Sequence, residues 1–131
     1  MKLSDLKVDP DKERNGARVE IIPGLIVTLR SLSAPEVRAA RDRLLMPYRK
    51  IVAMGGMIPP DAQDKITATL LAEHVVLGWE DKSGELPPYS KGKAAEIFGD
   101  PAWRRLRDLV YEAAGEAETF RQVVADNAVK N

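Results

Sequence analysis

The sequence predicts an α+β fold in which a short N-terminal β-hairpin precedes a mainly α-helical domain of three to four helices. Three observations carry this: a β-branched run interrupted by Pro23-Gly24, a series of capping residues set beside prolines, and a last segment whose apolar residues recur at steps of three and four. A length of 131 residues with a 44% hydrophobic share suits one domain whose core closes without disulfides.

Residues 1–16 are polar, contain Asp9-Pro10-Asp11-Lys12-Glu13-Arg14 and end at Asn15-Gly16, so a mobile arm or edge extension is expected there. Residues 17–131 then make the single domain. Its hairpin spans 18–30, where RVEIIPGLIVTLR supplies two strands and a turn. A two-residue loop would pair Glu20 with Val27. A three-residue loop would pair Ile21 with Val27 and Val19 with Leu29, and it is preferred because it gathers the aliphatics onto one face.

Ser33-Ala34-Pro35-Glu36 reads as the capped start of a first helix over 34–54, with Val37, Ala40, Leu44 and Ile51 on its apolar stripe, and Pro47 is expected to kink or divide it. The loop Gly55-Gly56-Met57-Ile58-Pro59-Pro60 follows. Asp61 is the expected cap of a second helix over 61–77, which carries Ile66, Leu70 and Leu77 and stops near Gly78. Trp79 to Tyr89 is turn-rich, with room for a short strand pair at Ser83-Gly84. Ser90 caps a third helix over 91–98, and Asp100-Pro101 opens the last over 101–125. The apolar seam of that helix is Trp103, Leu106, Val110, Ala113, Ala117, Phe120 and Val124. Small Ala113, Ala114 and Ala117 favour packing within the domain over contact with a second copy in a homo-oligomer.

Charge and residue types remove several functions. Twenty lysines and arginines balance 20 aspartates and glutamates, so no overall field draws the chain to nucleic acid or to a membrane surface. Zero cysteines and one histidine exclude thiolate sites, cysteine nucleophiles and any site that needs two imidazoles from one chain. Neither a secretory leader in Met1–Pro10 nor a membrane span is legible, which points to the cytoplasm.

Individual motifs point away from catalysis. Ser90-Lys91-Gly92-Lys93 has the S-x-x-K spacing of serine acyl-enzymes but none of their companion motifs, and a helix cap accounts for the serine. Gly92-Lys93 lacks the other glycine and the hydroxyl residue of a phosphate loop. Glu73, His74, Glu80 and Asp81 do not follow a zinc-helix pattern, because Leu70 and Gly78 stand four residues either side of His74. No catalytic, cofactor-binding or metal-binding residue is assigned, and the chain is not expected to be an enzyme.

Arg38, Arg41, Arg43, Arg49 and Lys50, with Arg104, Arg105 and Arg107, could line up against phosphates, but Glu36, Asp42, Asp108 and Glu112 interrupt them. A solvated face is the expected reading. Met46 reads as core filling, whereas Met54, Met57 and Ile58 mark a loop suited to contacting a partner, because methionine adapts to varied surfaces.

A family resemblance supplies a more specific expectation. Its landmarks are the hairpin, Pro47-Tyr48-Arg49, Leu77-Gly78-Trp79-Glu80, Leu86, Pro88-Tyr89-Ser90, Ala94, Asp100-Pro101, and Val110, Ala113 and Phe120 in the last helix. In that order they resemble the tail assembly chaperones of long-tailed bacteriophages and related gene-transfer particles. The chain departs from the pattern at Gly78, where an acidic residue is expected, and at Thr119, where asparagine is expected. The resemblance implies a non-enzymatic factor that binds the tape measure protein, keeps it soluble and recruits the tail tube protein. It also implies a longer, frameshifted product, and the codons of Lys130-Asn131 permit an adenine run on which ribosomes slip. Alternatives are a structural virion component, such as a head-tail joining or tail protein, and a small DNA-binding regulator.

Overall fold

The structure, a computed structural model, describes residues 2–122. A three-stranded antiparallel sheet runs in the order β1 (Ala17–Ile22), β2 (Leu25–Leu29), β3 (Val76–Asp81). Around it stand α1 (Pro10–Asn15), α2 (Pro35–Leu45), α3 (Arg49–Ala53), α4 (Pro60–Leu70), α5 (Lys91–Gly99) and α6 (Arg104–Gly115). The class is α+β with an N-terminal hairpin.

The hairpin register combines both loop lengths. Ile22 pairs with Leu25 across the two-residue Pro23-Gly24 turn, and a bulge at Ile21 then shifts the ladder so that Glu20 faces Ile26, Val19 faces Val27 and Ala17 faces Leu29. The preferred three-residue register, with Ile21 on Val27, is therefore incorrect. Continued without a bulge, the tight turn would have placed Glu20 opposite Val27 on the inner face. One extra residue at Ile21 restores Ala17 and Val19 to the side where Leu25, Val27 and Leu29 are buried.

The third strand replaces what reads in the sequence as the end of a helix. After Leu70 the helix widens into a π-helical turn, Leu71–Val75, and passes without a loop into β3, which pairs with β2 along its length. Arg30 ends the turn: its amide donates to the Val75 carbonyl at 2.8 Å and its guanidinium to the His74 carbonyl at 3.2 Å. Leu77 thus lies on the strand's exposed side rather than on a buried helical stripe. Leu71, Ala72, Val75 and Val76 are the buried residues of this stretch.

No strand pair forms at Ser83-Gly84; the chain turns there on the Asp81 carboxylate. Its oxygens accept from the Ser83 hydroxyl at 2.7 Å, the Ser83 amide at 2.9 Å and the Leu86 amide at 2.8 Å. These bonds, the Ser83 hydroxyl foremost and the Leu86 amide next, hold the carboxyl below its ordinary 3.8. The returning segment is held against β3. Trp79 Nε1 donates to the Pro87 carbonyl at 2.8 Å, the Tyr89 hydroxyl donates to the Val76 carbonyl at 3.1 Å, and the two rings meet edge to face at 4.9 Å. Phe98 of α5 stands 6.5 Å from the Trp79 ring, and burial pushes the Tyr89 phenol up.

Two of the expected caps form and two do not. Ser90 accepts from the Lys93 amide at 3.0 Å, and Asp100 accepts from the Ala102 amide at 2.9 Å to start the 3₁₀ turn Pro101–Trp103. Helix α2 begins after Ala34 with no side-chain cap; buried Ser31, not Ser33, closes the preceding turn by accepting from the Ser33 amide. Asp61 lies inside the first turn of α4, behind Pro59 and Pro60.

The last helix is shorter than its sequence period suggests. Helix α6 stops at Gly115, where the Ala114 carbonyl accepts from the Leu32 amide at 2.9 Å, and Glu116 is extended. A 3₁₀ turn, Ala117–Phe120, then drops Phe120 into the core. The seam is therefore not one helical stripe. Val110 and Phe120 are buried, Leu106 and Ala113 half-buried, Trp103 is 37% exposed and Ala117 is exposed; Arg107 and Ala114 complete the buried line of α6. Val124 and the helix end at residue 125 lie outside the described residues.

Residues 2–16 fold back onto the far end of the described chain. The Asp9 carboxylate caps α1 by accepting from the Asp11 and Lys12 amides, and the Asp9 amide donates to the Phe120 carbonyl at 2.7 Å. Val8 forms an antiparallel bridge with Arg121, and the carbonyls of Glu13 and Arg14 receive the Ser31 amide and Arg30 Nε. Gly16 joins α1 to β1 at φ +109°, and a Cβ there would lie 2.9 Å from Leu77 Cδ1 and 3.1 Å from Thr28 Cγ2.

Three outcomes follow in denaturation experiments. Phe120→Ala is expected to cost about 3–5 kcal/mol and Trp103→Ala less, because Phe120 is fully buried and Trp103 is 37% exposed; equal losses would contradict that difference in burial. Gly16→Ala is expected to destabilise by at least about 1 kcal/mol, through strain and contact together. Ionised Asp81 stabilises the fold fully above 3.8, and that contribution is lost as pH falls through the lower folded-state value. The stability difference between the wild type and Asp81→Ala should therefore shrink on acidification below pH 3.8; a constant difference would show that the charge is not what matters.

Candidate functional site

Pro47 stands within a run of exposed apolar side chains. Along α2 the stripe is regular, with Val37 and Ala40 buried and Leu44 half-buried. The proline then converts Met46–Tyr48 into a 3₁₀ turn, so α3 restarts out of phase with that stripe. Ile51, expected in the core, is exposed, and so is Val52. Met46, also expected in the core, is 56% exposed, and Met54 and Met57 reach 87% and 83%. Of the expected partner-contact residues, the structure thus exposes Met54 and Met57 and half-buries Ile58.

This ridge ends in a defined backbone motif. The Gly56 amide donates to the Ile51 carbonyl at 2.8 Å and the Gly55 amide to the Val52 carbonyl at 3.0 Å, with Gly55 at φ +84°: a Schellman end to α3. A Cβ on Gly56 would stand 2.9 Å from Ile51 Cγ2 and 3.0 Å from the Ile51 carbonyl oxygen, so the close approach requires glycine. The methionines on either side of Gly55-Gly56 are therefore presented by a hydrogen-bonded turn. Met46, Ile51 and Val52 were missed as surface residues; the signal that could have found them is the phase slip at Pro47.

Cations flank the ridge. Arg41, Arg43, Arg49 and Lys50 are exposed, and none belongs to an ion pair among the described residues. At the other end of α2, Glu36 pairs with Arg14 at 3.2 Å and ties the helix to α1. The Glu36 carboxyl lies below its ordinary value, first through its own backbone amide and also through Arg14. An apolar strip with a charged margin has the chemistry of a protein-contact surface.

Other motifs are absorbed by the fold. Lys93 Nζ pairs with Glu96 at 3.3 Å, while the Ser90 hydroxyl is held by the Lys93 amide, so the two side chains do not form a nucleophile and base. Glu73 is exposed, His74 is half-buried, and His74 contributes only its carbonyl, to Arg30. Among the described residues no three histidine, aspartate or glutamate side chains converge as a metal site. No helix there is long and apolar enough to cross a membrane.

Neither a curated protein nor a solved structure matches the chain. A family model, that of the YdaY prophage protein, matches residues 32–131, which begins after β2 and takes in every element from α2 to α6. With most of its length matched, the chain belongs to the YdaY prophage protein family.

Proposed function

We propose that this prophage protein is a tail assembly chaperone, a non-enzymatic factor that holds the tape measure protein through the ridge at Met46–Ile58 and promotes assembly of the tail tube around it. The observation that carries the reading is the exposure of Met46, Ile51, Val52, Met54 and Met57 on one run of chain fixed by a Schellman turn. A chaperone for a long helical client needs an adaptable apolar surface that is nonetheless presented in a fixed place, and methionine beside a rigid turn supplies both. Prophage family membership agrees with a role in particle assembly, and the ordered resemblance of the sequence to tail assembly chaperones supports that role. The free cations at the margin suit a client whose apolar stripe is bordered by acidic residues.

Co-expression with a fragment of the tape measure protein tests this. The fragment is expected to be soluble with the wild-type chain and largely insoluble without it. Met54→Asp, Met57→Asp should abolish the rescue and leave the melting temperature nearly unchanged, since both side chains already face water. A fragment equally insoluble with and without the chain would contradict the chaperone reading, and rescue by the double variant would remove the ridge from it. Recovery of the chain in stoichiometric amount in purified particles would instead identify a structural virion component.

A further inference from the structure

We propose that β1, a free edge of the sheet, accepts an extended basic segment of a partner as a fourth strand, and that the trough between β1 and α6 holds one of its apolar side chains. The sheet order leaves β1 with a neighbouring strand on one side only. Along a strand every second residue turns its N–H and C=O away from the paired neighbour, and those groups form a template for another chain. Apart from the ladder with β2, no backbone hydrogen bond among the described residues involves Ala17–Ile22. The ladder is regular from Ala17 to Glu20 and breaks at the bulge, so that stretch is the part of the edge an added strand can follow.

The trough beside this edge is an independent observation. It holds about 190 Å³. Small-molecule sites begin at roughly 300 Å³, so this space suits a single side chain better than a compact ligand. Its apolar lining, Val19 and Ile21 on β1 with Leu109 and Ala113 on α6, is only half-buried and still has surface to cover. Glu20, Glu112 and Glu116 line it as well, and no lysine or arginine does. None of these three carboxylates belongs to an ion pair among the described residues. When a strand is added to an edge, main-chain bonds supply affinity, while the adjoining pocket and its charge select the sequence. Carboxylates without a cation select lysine or arginine beside the apolar residue. They disfavour a second copy of this chain as the occupant, since its β1 would bring the same acidic rim to the contact.

The edge and its trough share no residue with the Met46–Ile58 ridge, so their test stands apart from the chaperone reading. The probe is an end-capped peptide of about seven alternating lysines and valines, titrated into the full chain while the backbone amide resonances are followed. We expect saturable shifts at β1, Leu109 and Ala113, with slowed exchange of the outward β1 amides. A counterpart with glutamate for lysine, and one N-methylated along its backbone so that it cannot donate to the edge, should each bind at least about tenfold more weakly. Glu112→Lys combined with Glu116→Lys, at two exposed positions, should reverse the preference between the lysine and glutamate peptides while the melting temperature holds. Unmoved β1 amides at millimolar peptide, equal binding of the N-methylated peptide, or a preference untouched by the charge exchange would each overturn the proposal. Concentration-dependent protection of β1 in the chain alone would overturn it too, by identifying a second copy as the occupant.

Discussion

The end of the π turn is the constraint on which the rest of the structure depends. The end of Leu71–Val75 leaves carbonyls with no helical donor, and a loop-free passage from helix to strand puts no turn there to supply one. Arg30, the first residue after β2, meets both needs through its amide to Val75 and its guanidinium to His74. Hydrogen bonds from a charged donor contribute about 1.5–3 kcal/mol each. The same guanidinium reaches the Arg14 carbonyl at 2.8 Å, so one side chain joins the end of α1, the end of β2 and the start of β3. With that junction fixed, β3 completes the sheet and β2 becomes its central strand, with Leu25, Val27 and Leu29 buried.

A core closed in this way leaves the α3 segment without a packing role. Val37 and Ala40 of α2, Leu70 and Leu71 around the helix-to-π transition, Phe98 of α5 and Phe120 already fill the interior. Pro47 then turns α3 away from that interior, and the Gly55-Gly56 turn fixes where it ends. Five exposed apolar side chains in one short run each forgo part of the roughly 1.5–3 kcal/mol that full burial would contribute, the largest part at Met54 and Met57. On the proposed reading, a partner covers that surface during assembly.

Much of this was legible in the sequence, and the failures share a cause. Ser90, Asp100-Pro101 and the Val37, Ala40, Leu44 stripe declared themselves because capping and helical period are local. The third strand did not, since Ile66, Leu70 and Leu77 keep a helical spacing and only a residue distant in sequence, Arg30, decides where the helix gives way. Likewise the bulge at Ile21 depends on which face β2 must bury, and residues 2–16 are ordered by Phe120 and Arg121 at the opposite end of the chain. At the site, Met54 and Met57 were found from residue type and loop context. Met46, Ile51 and Val52 were missed because the apolar stripe is continued across Pro47 to Ile51, although a proline that divides a helix also changes its phase. Arg107 has the spacing of a surface stripe, and its burial on α6 depends on α4 lying beside it.

The central claim is that the fold sets aside the Met46–Ile58 ridge for a partner. Hydrogen exchange of the full chain, compared with and without a fragment of the tape measure protein, tests it most directly. The account predicts slowed exchange confined largely to the amides of α3 and of the loop leading to Pro59, with β2, the π turn and β3 unchanged. Protection elsewhere with residues 46–58 unaffected would contradict it.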